Sequence, residues 1–206
     1  RVAVQFFART ASGARDELAE CLEQLGTDYL DVLTYYYVES DAEWAQIISV
    51  GGAAEVIDAA RRDGVVRSIG LTSHQRGLAA DWVSGGRLDS LMIRYNAAHR
   101  GAERDVFPVT EVENRPVVAF TCLRWGGLIR ATPDDPAEFS LPSAADCYRW
   151  VLCQPAVTVA LAAPDGRREL DAVLTVISPW QAMSPADHAA ISDHGDRVYR
   201  HGESFP

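Results

Sequence analysis

The stretch AAEVIDAARRDGVVRSIGLTS, residues 53–73, decides the fold of this chain. Its first part, residues 53–64, is predicted to be a helix that ends at glycine, the residue most often found just beyond a helix end. Its second part, residues 65–73, is an apolar run of strand length. A helix that leads directly into a buried strand is typical of parallel sheets whose strands are joined by crossover helices.

The same alternation of apolar runs and amphipathic stretches extends along the whole sequence. Strands are predicted around residues 1–8, 29–38, 65–73, 88–95, 116–122 and 157–161. Helices are predicted at residues 17–25, 53–64, around Trp82, at 143–152, around 168–176 and after Ser184. About six parallel strand–helix units, with no break in composition, predict an α/β fold: a single domain over residues 1–206, built as an incomplete or modified TIM-type (β/α) barrel.

The composition argues against several classes of function. A formal net charge of -10 and a pI near 4.9 would repel a phosphate backbone, so we expect no nucleic-acid partner. No apolar run approaches the roughly 20 residues that span a bilayer, and the N-terminus lacks the features of a signal peptide, so we expect a cytoplasmic protein without membrane contact. The four cysteines include no Cys-x-x-Cys pair, and we expect core thiols and no metal site.

All 19 basic residues are arginine, and the sequence contains no lysine. Lysine is the usual amine for Schiff bases and for acid–base work at a lowered pKa. Chemistry that depends on such an amine is therefore excluded for these 206 residues.

Five segments resemble the aldo-keto reductase family, and they occur in the family's order. They are LGTDYLDVL (25–33), GVVRSIGLTSH (64–74), RYNAAHRG (94–101), VVAFTCLRWGGL (117–128) and RWVLCQPAVTVAL (149–161). The resemblance implies that these segments form or enter the family's fourth to eighth strands, and that VAVQFF corresponds to the third. It also implies a truncated homologue that lacks the family's first two strand–helix units.

The resemblance implies carbonyl reduction with NADPH, carried out in the family by a tyrosine, an aspartate, a lysine and a histidine. The tyrosine and the aspartate belong to the two units without a counterpart here. The lysine position falls within residues 5–8, which read Gln-Phe-Phe-Ala, and the histidine position falls at Tyr36. We therefore expect no cofactor, or at most weak binding of NADPH.

Contacts to that cofactor would lie, by the same resemblance, where strands end. They fall at Thr72, Ser73, Asn96, Phe120, Arg124 and Trp125. Thr72 and Ser73 replace the family's Ser-Asn pair that holds the carboxamide, and Phe120 replaces the tyrosine that stacks on nicotinamide. A guanidinium stacked on an indole at Arg124 and Trp125 would form a floor for a ligand.

Candidate catalytic residues also lie at strand ends, since the carboxyl ends of the strands form the active face of such barrels. They are Tyr36, Glu39, His74 and Arg94. Tyr36 is predicted to point towards the barrel axis, and Tyr35 and Tyr37 into the helix layer. Glu39 and His74 would supply a pair of titratable groups, and Arg94 would bind a carboxylate or phosphate.

Each of these four residues also has a structural explanation. Tyr36 could simply fill the barrel, Glu39 could be structural, as its counterpart in the family mainly is, and His74 could cap the following helix. Arg94 could form an ion pair with Glu39 or Asp31. The other histidines are expected on the surface; they are His99, His188, His194 and His201.

Three hypotheses of function are compatible with these residues. The first is a repurposed, non-redox enzyme (dehydratase, isomerase, cyclase or hydrolase) that acts on a small, anionic substrate at the barrel mouth, in a biosynthetic pathway. The second is an NADPH-dependent aldo-keto reductase completed by sequence outside these residues. The third is a non-catalytic binding or assembly protein, because open strand edges favour a homodimer or a partner that covers them.

Overall fold

The computed structural model describes residues 1–177 and 179–202. Residues 178 and 203–206, which the predicted single domain includes, lie outside the described residues. In the described part, six parallel strands form one sheet and are hydrogen-bonded in chain order. They are β1 (Ala3–Phe6), β2 (Val32–Tyr35), β3 (Ile69–Ser73), β4 (Ser90–Arg94), β5 (Val117–Phe120) and β6 (Val157–Ala160). This topology confirms the predicted α/β succession of TIM type.

Helices alternate with these strands. They are α1 (Ala11–Leu25), α2 (Asp41–Ile48), α3 (Ala53–Arg62), α4 (Arg76–Ser84), α5 (Ala102–Asp105), α6 (Phe107–Val112), α7 (Ala144–Leu152), α8 (Arg167–Leu174) and α9 (Pro185–His201), with a 3-10 helix at Gly127–Ile129. Helix α1 begins earlier than predicted because the Thr10 side chain accepts a hydrogen bond from the Gly13 N–H and caps its start. Helix α2 was not among the predicted elements; Ser40 caps it in the same way.

The contacts divide the chain into two compact units, of which the first contains Arg1–Met92 and Pro108–Pro116. Strands β1, β2 and β3 pair in parallel in this unit. Tyr35 points into the helix layer as predicted, where its ring packs edge-on against Trp44 of α2, and Trp44 stacks on Trp82 of α4. Burial raises the pKa of Tyr35, so this phenol is a core group and not a candidate acid.

The second unit contains Ile93–Phe107 and Val117–Pro206. Trp150 of α7 is buried, and its indole N–H donates to Ser192 Oγ of α9 at 3.0 Å. Gly195 lets α9 approach the backbone that follows β4, because an added Cβ there would overlap the carbonyl oxygen of Ala97. Helix α9 is therefore docked within this unit at two points.

A buried polar cluster also holds α9. His194 is fully buried, with Nδ1 2.8 Å from Asp135 Oδ1 and Nε2 3.1 Å from the Leu128 carbonyl oxygen. Arg197 Nε donates to the same carboxylate oxygen at 2.6 Å. The prediction that His194 lies on the surface is wrong. Its carboxylate partner, Asp135, lies 59 residues away in the sequence, and a local pattern cannot predict a contact over that distance.

None of the helices in the described part of the chain has the length and apolar character that crossing a bilayer requires. Within the same residues, the side chains of His, Cys, Asp and Glu form no group of three that could hold a metal ion.

Candidate active site

Glu39 and His74 meet in the first unit, at the carboxyl ends of β2 and β3. Glu39 Oε1 accepts hydrogen bonds from the His74 backbone N–H at 2.7 Å and from Ser73 Oγ at 3.3 Å. Its other oxygen accepts from Gln75 Nε2 at 3.3 Å. The Glu39 carboxylate therefore fixes the turn between β3 and α4, which gives it a structural role.

The His74 ring lies close to the same carboxylate. Its Nδ1 is 3.4 Å from Glu39 Oε1, slightly longer than a good hydrogen bond, and such contacts often tighten when a substrate binds. The ring also packs edge-on against Tyr37, with 4.7 Å between centroids. His74 is not the cap of α4, whose N-cap residue is Gln75, so the capping explanation is wrong.

Tyr36 and Tyr37 directly follow β2. Tyr36 is half-buried, and its ring lies 4.7 Å from that of Phe7 and 5.5 Å from that of Tyr37. Tyr37 has a left-handed backbone, with φ 57°, and is 39% exposed. The expectation that Tyr37 points into the helix layer is wrong, because strand alternation ends at Tyr35 and the left-handed residue turns the ring towards His74. The predicted direction of Tyr36 towards the barrel axis stays a prediction.

Two residues outside the predicted set fix the backbone around these tyrosines. Arg9 donates to the Tyr36 carbonyl oxygen at 2.6 Å and to the Phe7 carbonyl oxygen at 2.8 Å. Glu43 forms an ion pair with Arg9 at 3.1 Å and accepts from the Glu39 backbone N–H at 3.0 Å. The rule that functional residues lie at strand ends could have pointed to Arg9. Glu43 lies in α2, which the sequence analysis does not predict.

The hydroxyls of Thr72 and Ser73, expected at a nicotinamide carboxamide, are engaged within the first unit. Thr72 Oγ1 donates to Gln5 Oε1 at 3.3 Å. Ser73 Oγ donates to Glu39 and accepts from the Gln75 backbone N–H at 3.0 Å. Both side chains are buried, and their hydrogen bonds stabilise the carboxyl end of β3 within the protein.

Asn96, in the second unit, shapes the turn that follows β4. It is fully buried, its Nδ2 donates to the Thr121 carbonyl oxygen at 2.8 Å, and its Oδ1 accepts from the Ala98 N–H at 3.0 Å. Phe120 is half-buried at the end of β5. Asn96 lies at a strand end, as predicted, but its side-chain amide forms hydrogen bonds with backbone groups of the protein.

Arg94, Arg124 and Trp125 also belong to the second unit. The Arg94 guanidinium lies over the Trp125 indole, 5.6 Å from the ring centroid. Arg124 is 7% exposed, and its guanidinium occupies the space that a side chain at Gly202 would need. Asp31, suggested as an ion-pair partner of Arg94, pairs instead with Arg67 at 2.9 Å in the first unit. Recognition of an anionic group by Arg94 stays a prediction.

The loop after β5 carries unusual backbone conformations. Thr121, Arg124 and Trp125 have positive φ angles of 54°, 49° and 51°. Non-glycine residues adopt this region rarely, and such residues concentrate at functional sites. Local sequence patterns do not predict this backbone conformation. They indicate only that the loop resembles a cofactor-binding segment of the family.

The expectation of no cofactor, or of weak NADPH binding, stays a prediction. The polar atoms of Thr72, Ser73 and Asn96 bond within the protein. The resemblance places the residues that clamp an adenosine phosphate after the family's eighth strand, and Arg167, near those positions, is paired with Asp171 at 2.8 Å.

Two of the cysteines are core residues. Burial raises the pKa of the Cys122 and Cys147 thiols to about 12. A thiol with so high a pKa is a poor nucleophile, because the thiolate is the reactive form. The expectation that Cys147 is a core residue is confirmed; Cys153 is only half-buried.

The model of the aldo/keto reductase family matches residues 5–141 of this sequence. The chain belongs to the aldo/keto reductase family. Its fold resembles solved structures of an aldo-keto reductase from Bacillus halodurans, with a TM-score of 0.76 and 16% identity for the holo form. The corresponding values for the apo form are 0.74 and 17%, and both comparisons cover 93% of this chain and 70% of the other. At these identities the likeness concerns the fold alone.

Two curated relatives of the chain carry names of redox enzymes. The chain is 27% identical to D-threo-aldose 1-dehydrogenase of Pseudomonas sp. over 139 residues, 66% of this chain and 41% of that protein. It is 22% identical to NADH-specific methylglyoxal reductase of Escherichia coli (strain K12) over 112 residues, 54% of this chain and 33% of that protein. The aldo/keto reductase chain described here thus matches less than half the length of either relative.

Proposed function

We propose that this aldo/keto reductase homologue binds a small molecule at the carboxyl ends of β1, β2 and β3 and moves a proton within it, without oxidation or reduction. The observation that carries the proposal is the 3.4 Å contact between the Glu39 carboxylate and the His74 ring. A carboxylate that orients an imidazole is suited to general acid–base catalysis. The lack of lysine in the sequence supports the same conclusion, since the resemblance assigns that residue to the reductive site.

In the proposed step, His74 acts as the base. Its Nε2 takes a proton from a carbon next to a substrate carbonyl, the electron pair of the C–H bond passes into an enolate, and Glu39 stabilises the imidazolium through Nδ1. The Tyr36 phenol donates a hydrogen bond to the enolate oxygen. Return of the proton to the same carbon exchanges it with solvent, and, where the enolate is conjugated with a C=C bond, return to the far carbon of that system isomerises the substrate; no oxidant or reductant is consumed.

Deuterium exchange into 2-tetralone, an enolisable ketone whose C1 is benzylic, tests this step. In D2O without nicotinamide, the 206-residue chain should accelerate the loss of the C1 proton signal in NMR spectra. His74→Gln should reduce the catalysed rate about 100-fold or more, and Glu39→Gln should reduce it to a smaller extent. Glu20→Gln changes an exposed carboxylate on α1 and should leave the rate unchanged. A wild-type rate equal to that of buffer, or full activity in His74→Gln, would refute the proposal.

The names of the curated relatives favour a second candidate, a redox enzyme. With the resemblance to the family, this candidate is an NADPH-dependent reductase whose site is completed by residues outside these 206. Fluorescence titration with NADPH separates the two candidates. Saturable binding at micromolar cofactor would favour the reductase, whereas no saturation at millimolar cofactor would favour the non-redox enzyme.

Exposed apolar side chains favour a third candidate, assembly as a homodimer. None of the eight residues of α8 is buried, and Leu170 and Leu174 on this helix are among the exposed apolar residues. Val159 of the edge strand β6 is also exposed. Exposed apolar side chains that cluster into a patch often mark an interface. Light scattering should give the mass of a dimer, and the double variant Leu170→Gln and Leu174→Gln that of a monomer; a monomeric wild type would contradict assembly.

A further inference from the structure

We propose that four rings at the carboxyl ends of β1, β2 and β3 bind a planar aromatic or conjugated group of the substrate. The rings belong to Phe7, Tyr36, Tyr37 and His74, and together we call them the aromatic row. This inference rests on the proposed function for the location of the site and adds the class of molecule that the site takes.

The four rings form a continuous series. The centroids of Phe7 and Tyr36 are 4.7 Å apart, with 55° between the ring planes. Those of Tyr36 and Tyr37 are 5.5 Å apart at 42°, and those of Tyr37 and His74 are 4.7 Å apart at 63°. Aromatic rings attract one another at such separations, so the row offers both ring faces and ring edges to a further ring.

Two members of the aromatic row have features that packing within the protein does not require. Phe7 is 60% exposed, although its side chain is wholly apolar. Tyr37 has a φ of 57°, a conformation that bulky residues adopt rarely and that clusters at ligand sites. A core aromatic residue would be covered and unstrained. A bound molecule would cover the exposed ring of Phe7 and would contact the ring that the conformation of Tyr37 presents beside His74.

The backbone beneath the aromatic row is fixed before any ligand arrives. Glu17 accepts hydrogen bonds from the backbone N–H groups of Phe7 at 2.8 Å and Ala8 at 2.6 Å. Arg9 donates to the carbonyl oxygens of Phe7 and Tyr36 and so ties the two segments together. A surface held in this way loses little conformational freedom on binding, which favours affinity.

A flat π system matches the aromatic row better than an aliphatic group of equal size. A planar ring can stack on one member of the row and pack edge-on against the next, whereas a puckered saturated ring gains only from burial. The row also ends at His74, which contacts Glu39. A conjugated ring that carries a carbonyl or hydroxyl group would therefore have its polar atom next to the titratable pair.

Isothermal titration calorimetry with two probes of the same carbon skeleton tests the class of ligand. 2-Naphthol is planar and aromatic, and decahydro-2-naphthol is its saturated, puckered counterpart. The 206-residue chain should bind 2-naphthol at least about tenfold more tightly. Equal affinities for the two probes would overturn the proposal.

Variants locate the binding on the aromatic row. Phe7→Leu and Tyr37→Leu should each weaken 2-naphthol binding about five- to tenfold, because each removes one ring but keeps an apolar side chain. Phe7→Tyr keeps a ring at this position and should weaken 2-naphthol binding less than Phe7→Leu does. Tyr199→Leu, which changes a 61% exposed ring on α9, is the matched control and should have no effect. Wild-type affinity in Phe7→Leu, with an unchanged circular dichroism spectrum, would overturn the proposal.

These binding measurements need no turnover, so their outcome is separate from that of the proposed proton transfer. Selective 2-naphthol binding without exchange of 2-tetralone would support the aromatic row and refute the proton transfer. Exchange of 2-tetralone without selectivity between the two probes would support the proton transfer and refute the aromatic row. Loss of a dimer in Phe7→Leu, together with no binding of 2-naphthol to wild type, would assign the rings to a protein interface and overturn the small-molecule proposal.

Discussion

Replacement of Asp135 by asparagine removes the charge at the centre of the cluster that holds α9. Asp135 Oδ1 contacts His194 Nδ1 at 2.8 Å and Arg197 Nε at 2.6 Å, and Oδ2 accepts from the Thr132 N–H at 2.6 Å. The Asp135 side chain is only 8% exposed, so water cannot readily replace these bonds. Loss of one partner from a buried ion pair costs about 3–5 kcal/mol. Because asparagine keeps one acceptor oxygen, the free energy of unfolding should fall by about 3 kcal/mol.

Urea denaturation followed by circular dichroism measures this loss directly. For a chain of this size the same change corresponds to a fall in melting temperature of about 6–12 °C. Asp134→Asn is the matched control, since Asp134 is the neighbouring carboxylate, is exposed, and pairs with Arg200 at the surface. It should be indistinguishable from wild type. A loss below about 1 kcal/mol in Asp135→Asn would refute the role given to the cluster.

The same cluster predicts sensitivity to acid. Burial acts to raise the pKa of Asp135, but hydrogen bonds from the Thr132 N–H, His194 and Arg197 outweigh it and leave the pKa lowered. Since the folded-state pKa is the lower one, the stabilisation is complete above about pH 4 and is lost as the pH falls further. Below that pH, unfolding of Asp135→Asn should depend less steeply on pH than unfolding of wild type. Parallel pH profiles would contradict this assignment.

Two further predictions concern the core. Cys122 and Cys147 should not react with a thiol reagent at about pH 8 until the protein unfolds, because burial raises the pKa of both thiols to about 12; rapid labelling of either in the folded protein, located by mass spectrometry, would be inconsistent with this. Gly195→Ala should lower the free energy of unfolding by about 2 kcal/mol, since its Cβ would overlap the Ala97 carbonyl oxygen, whereas Gly77→Ala in α4 meets no atom within 4 Å and should raise it by up to about 1 kcal/mol. Equal urea midpoints for the two variants would show that α9 tolerates the extra group.

The fold could be predicted from the sequence because its signals are local. The stretch at residues 53–73 contains a helix and a strand, and the structure places α3 and β3 there. The end of β2 could not be predicted in the same way. Three successive tyrosines favour a strand through their intrinsic preference, yet β2 ends at Tyr35 and Tyr37 is left-handed. In that conformation the Tyr37 ring contacts the His74 ring, a tertiary contact that the local preference of tyrosine does not predict.

The candidate site was predictable only in part. Glu39 and His74 follow neighbouring parallel strands, whose carboxyl ends meet at one edge, and the structure brings them together. The ion pair of Arg9 with Glu43 depends on a helix without a strong local signal. The partners of long side chains such as Arg94 depend on packing between segments distant in sequence, so strand position alone did not predict its contact with Trp125.

The central claim is that Glu39 and His74 move a proton without redox chemistry, and incubation of 2-tetralone with the 206-residue chain and NADPH in D2O tests it most directly. NMR of a single sample reports both reactions, since deuterium at C1 records proton transfer and 2-tetralol records reduction. We predict deuterated 2-tetralone with the NADPH unchanged. Formation of 2-tetralol with matching consumption of NADPH, and no exchange above the rate in buffer, would contradict the claim.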